Sequence, residues 1–144
     1  MLAAAVAKYL DANVTGLTYT STASTGNVYL AHMPAGPDIA VAVMPTGGGR
    51  EATKSPHDSP SLQIIVRGER HAWRASYMLA RTIYDELACL DNVTLDDGGT
   101  DEVWVVGTTA RQSDPVPMGA DDNDRPEWSS NWDLLVHAPT THRA

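Results

Sequence analysis

The stretch Ser61–Leu90, SLQIIVRGERHAWRASYMLARTIYDELACL, decides how the rest of the chain is read. Its first residues set Leu62, Ile64 and Val66 on one side and Gln63, Ile65 and Arg67 on the other, the two-residue period of a strand. From Glu69 the period lengthens. Trp73, Tyr77, Ala80, Tyr84 and Leu87 recur at intervals of four and three, and Leu79 and Ile83 widen the stripe. This predicts a helix whose apolar side lies on the sheet, with Arg70, Arg74 and Arg81 outside the stripe.

Toward the N-terminus, the first eleven or twelve residues favour helix, with Leu2, Val6, Tyr9 and Leu10 along one side and Asn13 and Gly16 as stop signals. GLTYT is weakly strand-like, NVYLAHM alternates, and IAVAVM (residues 39–44) is apolar on both faces, as in a central strand covered on both sides. Residues 45–60 show no period and are rich in Gly, Pro, Ser, Thr and charges, which predicts a long projecting loop or arm. Toward the C-terminus, NVTL reads as a short strand and residues 102–112 as a longer one, separated by an acidic, glycine-containing turn. SDPVPMGADDNDRPE reads as turn, and WSSNWDLLVHAP closes the sheet with Trp128, Trp132, Leu134 and Val136 in one phase. Residues 139–144 are expected to fray.

Only one strand-helix-strand passage is present, and the remaining strands are joined by turns. The expected architecture is α+β (mixed α/β): helices packed on a mixed, largely antiparallel sheet, in a single domain spanning residues 1–144. Hydrophobic residues make up 42% of the chain and charged residues 19%, a globular balance. Phe is absent, so aromatic anchoring falls to four Trp and five Tyr.

The formal net charge of −8 is unevenly placed. Residues 90–133 carry eleven acidic side chains against Arg111 and Arg125, whereas residues 50–89 hold six basic and five acidic ones. Such a surface does not grip DNA or an anionic membrane, although DNA can slide past it. Cys89 is the sole cysteine, which excludes an intrachain disulfide, and its place near the end of an apolar helix predicts a buried, inert thiol. The opening MLAAAVAKYLDANVTG is too short to cross a membrane and bears its positive charge after the apolar run; an intracellular soluble product is expected.

Motifs for chemistry fail on inspection. In MPTGGGREATKSPHD the residue before Lys54 is Thr53 where a phosphate loop needs Gly, and Pro56 stops any helix from starting there. GADDNDRPEW resembles a calcium loop, but Arg125 occupies the position of a ligand and the turning glycine is missing. A turn whose Asp side chains accept backbone N–H groups is expected instead. The five histidines have no metal spacing. No catalytic, cofactor-binding or metal site is predicted.

The C-terminal half, VVGTTARQSDPVPMGADDNDRPEWSSNWDLLVH, resembles the closing hairpin of the minor capsid or tail terminator (tail completion) proteins of long, non-contractile-tailed bacteriophages. There a strand ending in polar residues runs into a proline, a G-x-D-x-x-x-R-like turn, and an aromatic and an Asn heading the final strand. Here these are Pro115, Gly119, Asp121 or Asp122, Arg125, Trp128 and Asn131. PDIAVAVMPTGGG, SLQIIVRG and RASYMLARTIYDELA match the sheet core and main helix in the same order, so the likeness covers residues 37–136.

The resemblance implies a structural virion protein at the tail–head junction, assembled in the host cytoplasm. It would be a homo-oligomeric ring, usually a hexamer, that caps the tail tube protein and meets the head-closure or neck protein while double-stranded DNA passes through unbound. Expected contacts with a neighbouring subunit or the tube are the arm residues Gly47, Gly48, Gly49, Arg50 and Lys54, together with Arg125, Trp128 and Trp132. An acidic lumen or rim is expected from Asp96, Asp97, Asp101, Glu102, Asp121, Asp122 and Asp124. The alternatives are a head-closure or adaptor protein of the neck and, from another class, a small hydrolase or nucleotide-binding enzyme using the glycine loop.

Overall fold

The computed structural model describes residues 1–22, 25–49 and 54–143. Two helices, α1 (Leu2–Asn13) and α2 (Trp73–Ala88), pack on one eight-stranded sheet. Its strands are β1 (Val28–Leu30), β2 (Ala40–Gly48), β3 (His57–Asp58), β4 (Pro60–Arg67), β5 (Val93–Leu95), β6 (Val103–Ala110), β7 (Val116–Ala120) and β8 (Pro126–His137). The main strand order is β1-β2-β4-β8-β6-β5, with β3 and β7 also paired to β8. Among these pairs β1 with β2 is parallel and the rest are antiparallel. The architecture is the mixed, largely antiparallel α+β layer that the pattern predicts.

Register explains the core. Val41 lies opposite Val66 and Val66 opposite Trp128, while Leu62 lies opposite Trp132. Residues of the same parity therefore share the face that both helices cover. Val43, Ile64, Leu134 and Val136 continue this layer, and Val6 and Leu10 of α1 and Ile83 and Leu87 of α2 close it. The alanine run of α1 favours helix, and its buried Ala3, Ala4, Ala5 and Ala7 let the helix lie close on the strands. On the helix-free face, the fully buried Ala40 and Ala42 are followed by Ile65 and the buried Ser61 and Ser129.

The structure departs from the sequence pattern at strand limits. β2 does not end at Met44 but continues past a bulge to Gly48, which pairs with Pro60, and Gly49 donates its N–H to the Ser59 carbonyl. Gly48 has φ +139, and a Cβ there would collide with the Ser59 carbonyl, so only glycine fits. The region expected as turn contains β7, and the region expected as loop contains β3. GLTYT contributes only the isolated bridge Tyr19–Val28. In each case pairing to a distant strand decides the conformation, and local residue preference is overruled.

α2 starts at Trp73 and not at Glu69, because His71 adopts φ 60, outside the helical region. Ser76, rather than Trp73 or Tyr77, then takes the buried place nearest the sheet. Gly68 permits this approach, since a Cβ there would stand 2.5 Å from the Ser76 Cβ. Cys89, expected to be buried, is exposed one residue past the end of α2. Of the C-terminal residues expected to fray, Thr140 and Arg143 make bonds. Arg143 donates to the Ser55 and His57 carbonyls at 2.8 and 3.1 Å and to the Asp58 carboxylate, and Thr140 pairs with Arg143.

Candidate assembly surfaces at the two ends of the sheet

β8 runs the length of the sheet, about 40 Å at strand rise, and the candidate residues gather at its two ends. At the Pro126 end, Arg125 is only 5% exposed although charged. Its Nε donates to Asp121 at 2.8 Å, and its Nη1 donates to the Ala35 carbonyl at 2.8 Å and to Asp38 at 3.0 Å. Arg67, at the end of β4 and 3% exposed, donates to the Pro34, Pro37 and Asp38 carbonyls at 2.6, 2.6 and 3.1 Å. Two guanidinium groups thus fasten the β1–β2 connection to the end of the sheet. Burial, and repulsion from Arg125, lower the pKa of Arg67; burial opposes the charge of Arg125 too, but its bonds to Asp121 and Asp38 outweigh it.

Asp121 organises the turn before β8. One carboxylate oxygen accepts the N–H groups of Asn123 and Arg125 at 3.0 and 2.9 Å. Although burial raises its pKa, these bonds and the Arg125 side chain hold it below the usual range. Glu127 is pushed upward by burial and by Asp121. Asp122 is exposed, and Asp124 meets Arg70 at 3.3 Å.

At the His137 end lies the β5–β6 turn. Lys8 of α1 reaches Asp96 at 2.8 Å and Asp101 at 2.9 Å, and the amino group of Met1 reaches Asp101 at 3.0 Å. The Lys8 bond, helped by the Asp101 N–H on Asp96 and by the Met1 amino group on Asp101, depresses both carboxylate pKa values. Glu102 accepts the Gly98 N–H at 2.6 Å, and Asp97 is exposed. The β2–β4 hairpin ends here too, with Gly47, Gly48, Gly49 and Lys54 exposed. Arg50 lies outside the described residues.

The acidic residues expected in a lumen or rim lie in two separate turns. Trp104 pairs with His137 and Ala120 pairs with Pro126, which sets the two acidic turns beyond opposite ends of β8. Each turn also spends part of its charge on an internal cation. Trp132, a candidate contact, has no surface to offer: it is 2% exposed, its ring lies 4.9 Å from that of Tyr84, and its indole N–H donates to Ser130. Trp128 is half-buried between Trp73 and Tyr77, and its indole N–H donates to Ser76 at 2.9 Å. Near mid-strand on the helix-free face, Arg111 at 2.7 Å and Ser61 at 2.6 Å bind Asp133, and these bonds hold its pKa down to about 2.

Reading the sequence missed Arg67, Ser76 and Lys8. Arg67 had one available signal, a charged residue closing a strand rich in Ile, Leu and Val. Lys8 and Ser76 had none, because their partners lie 88 and 52 residues away. A cleft of about 380 Å³ opens between residues 15–17 and the first half of α2, walled by Leu17, Ile39, Ala72, Ala75 and Leu79 with Glu69 at its margin. Among the described residues no three His, Cys, Asp or Glu side chains converge as a metal ion requires, and no helix is long and apolar enough to cross a membrane.

The model of the bacteriophage tail terminator protein family matches residues 9–135, and the chain belongs to that family, a class of structural tail proteins of the virion. Among solved structures, a chain of the virion of a native gene transfer agent particle is similar over 95% of both chains, with 19% identity and a TM-score of 0.51, a likeness of fold. None of the curated sequences compared with it is similar at a significant level.

Proposed function

We propose that the chain acts as a tail terminator: copies assemble into a ring, six as the family resemblance implies, on the end of the tail tube, stop its growth and offer the opposite surface to the neck of the capsid. The observation that carries this reading is the difference between the two ends of one sheet. One end is a compact turn fastened by buried arginines; the other bears the glycine-rich hairpin and a surface-paired acidic turn. A terminator must meet two unlike partners on its two faces, and this molecule has two unlike faces about one strand length apart. The net acidity weakens any hold on DNA phosphates, so that the genome passes without being retained. The work is done by contact between subunits, with no chemical step.

The test is to add the protein to polymerising tail tube protein and measure tube length by electron microscopy. Tubes capped at one end by a ring are expected. Uncapped tubes at saturating protein would overturn the reading, and a ring that binds isolated capsids but never tubes would favour the head-closure role instead.

A further inference from the structure

Two tryptophans are exposed to the same degree, 42% each, and their surroundings differ in charge. Trp73 opens α2 between Arg70 and Arg74, both exposed; Arg70 is engaged by Asp124, whereas Arg74 has no carboxylate partner among the described residues. Met78, 51% exposed and one turn beyond Arg74, extends the apolar surface. Trp104 stands near the start of β6. Its indole N–H donates to Asn92 at 2.9 Å, next to the exposed Asp91, and the exposed Glu102 precedes it by two residues on the same side. The cations beside the neighbouring turn are already engaged, Lys8 by Asp96 and Asp101 and the Met1 amino group by Asp101.

The two patches sit on opposite sides and at opposite ends of the molecule. Trp73 packs on Trp128, whose register places it on the helix-bearing face, and Trp104 packs on His137 on the bare face. Nine residues of β8 separate Trp128 from His137, roughly 30 Å. A rigid pair of molecules cannot satisfy both patches reciprocally. Each contact leaves one patch free at either end, so copies add head to tail, and the series closes into a ring when β8 lies tilted across the ring wall, an orientation that still turns the two sheet ends toward opposite faces.

We infer that the Trp73–Arg74 patch of one copy docks on the Asp91–Glu102–Trp104 patch of the next, and that this contact repeats around the ring. The inference rests on the ring reading above and deepens it. Trp and Arg are the residues that concentrate binding energy at interfaces. The opposed charges orient the encounter and disfavour like-with-like pairing, and an arginine on an exposed indole face adds a cation–π contribution.

The test uses the full chain with Arg74→Glu or Glu102→Arg, followed by light scattering over a concentration series, alone and with tail tube protein. Each variant alone is expected to need at least about tenfold more protein to assemble; thermal unfolding of the monomer should be unchanged in Arg74→Glu, whose side chain is exposed, and Glu102→Gln, which keeps an acceptor for the Gly98 N–H, serves as the control for the turn bond that Glu102→Arg gives up. An equal mixture of the two is expected to assemble like the wild type, since each altered patch then meets its complement on the other variant. Unchanged assembly of both variants, or a mixture no better than either alone, overturns the assignment. If that occurs while the wild type still forms capping rings, the docking surface is wrong and the terminator reading stands. If the wild type stays monomeric with and without tube protein, the ring and this surface fall together.

Discussion

The two ends of the sheet are held by different physics. At the Pro126 end, Arg67 and Arg125 are buried; Arg67 donates to three backbone carbonyls and Arg125 to one carbonyl and two carboxylates. At the His137 end, Lys8, Asp96 and Asp101 meet with their side chains part-exposed. A buried charge with all its bonds made is costly to disturb, whereas a part-exposed ion pair contributes little and is screened by salt. One end is therefore fixed in shape and the other adjustable, a contrast that suits the proposed role.

The sharpest way to break this contrast is Arg67→Leu. It orphans three carbonyls at once and is expected to cost about 3 kcal/mol in urea unfolding, while Lys8→Met should fall well short of it. A loss as large from Lys8→Met would refute the distinction. Ser76→Ala comes next. It removes the acceptor of the Trp128 indole under α2 and should cost about 1–2 kcal/mol, with a changed Trp fluorescence; an unaltered stability would show that water replaces the hydroxyl.

Acid should separate the regions by a smaller margin. Asp133 has its folded pKa lowered to about 2 by Arg111 and Ser61. Its stabilising contribution is thus present above the unfolded value near 4 and is lost as pH falls from about 4 toward 2. Asp96 and Asp101, also depressed, act in the same direction. Asp133→Asn should flatten the pH dependence of unfolding over that window, and an unchanged slope would remove Asp133 from the account. The smallest effect is expected from Lys54→Glu at the exposed hairpin: stability within about 0.5 kcal/mol of wild type but weaker capping of tubes. Equal capping by this variant would take Lys54 off the contact surface.

What could be read from the sequence follows the range of the forces involved. The period of three and four through Tyr77, Ala80, Tyr84 and Leu87 found α2, and the alternation in IAVAVM and SLQIIVRG found the central strands, because burial of one face leaves a local trace. The Asp121 turn was also legible, since its carboxylate bonds N–H groups two and four residues along. The end of β2, together with β3 and β7, was hidden: residues such as Gly48 and Pro117 oppose strand formation, and only the partner strand compensates. Exposure was hidden as well. Trp132 and Trp104 look alike in sequence, yet one is core and the other surface, because register across a sheet is a property of the assembled strands.

β8 pairs with β3 and β4 along one side and with β6 and β7 along the other. A push delivered lengthwise at either tip is thereby shared among four neighbours, each sliding against many ladder bonds together instead of peeling them one by one. A load applied at one end of the sheet would reach the other through this stiff central spar, without passing through the helices.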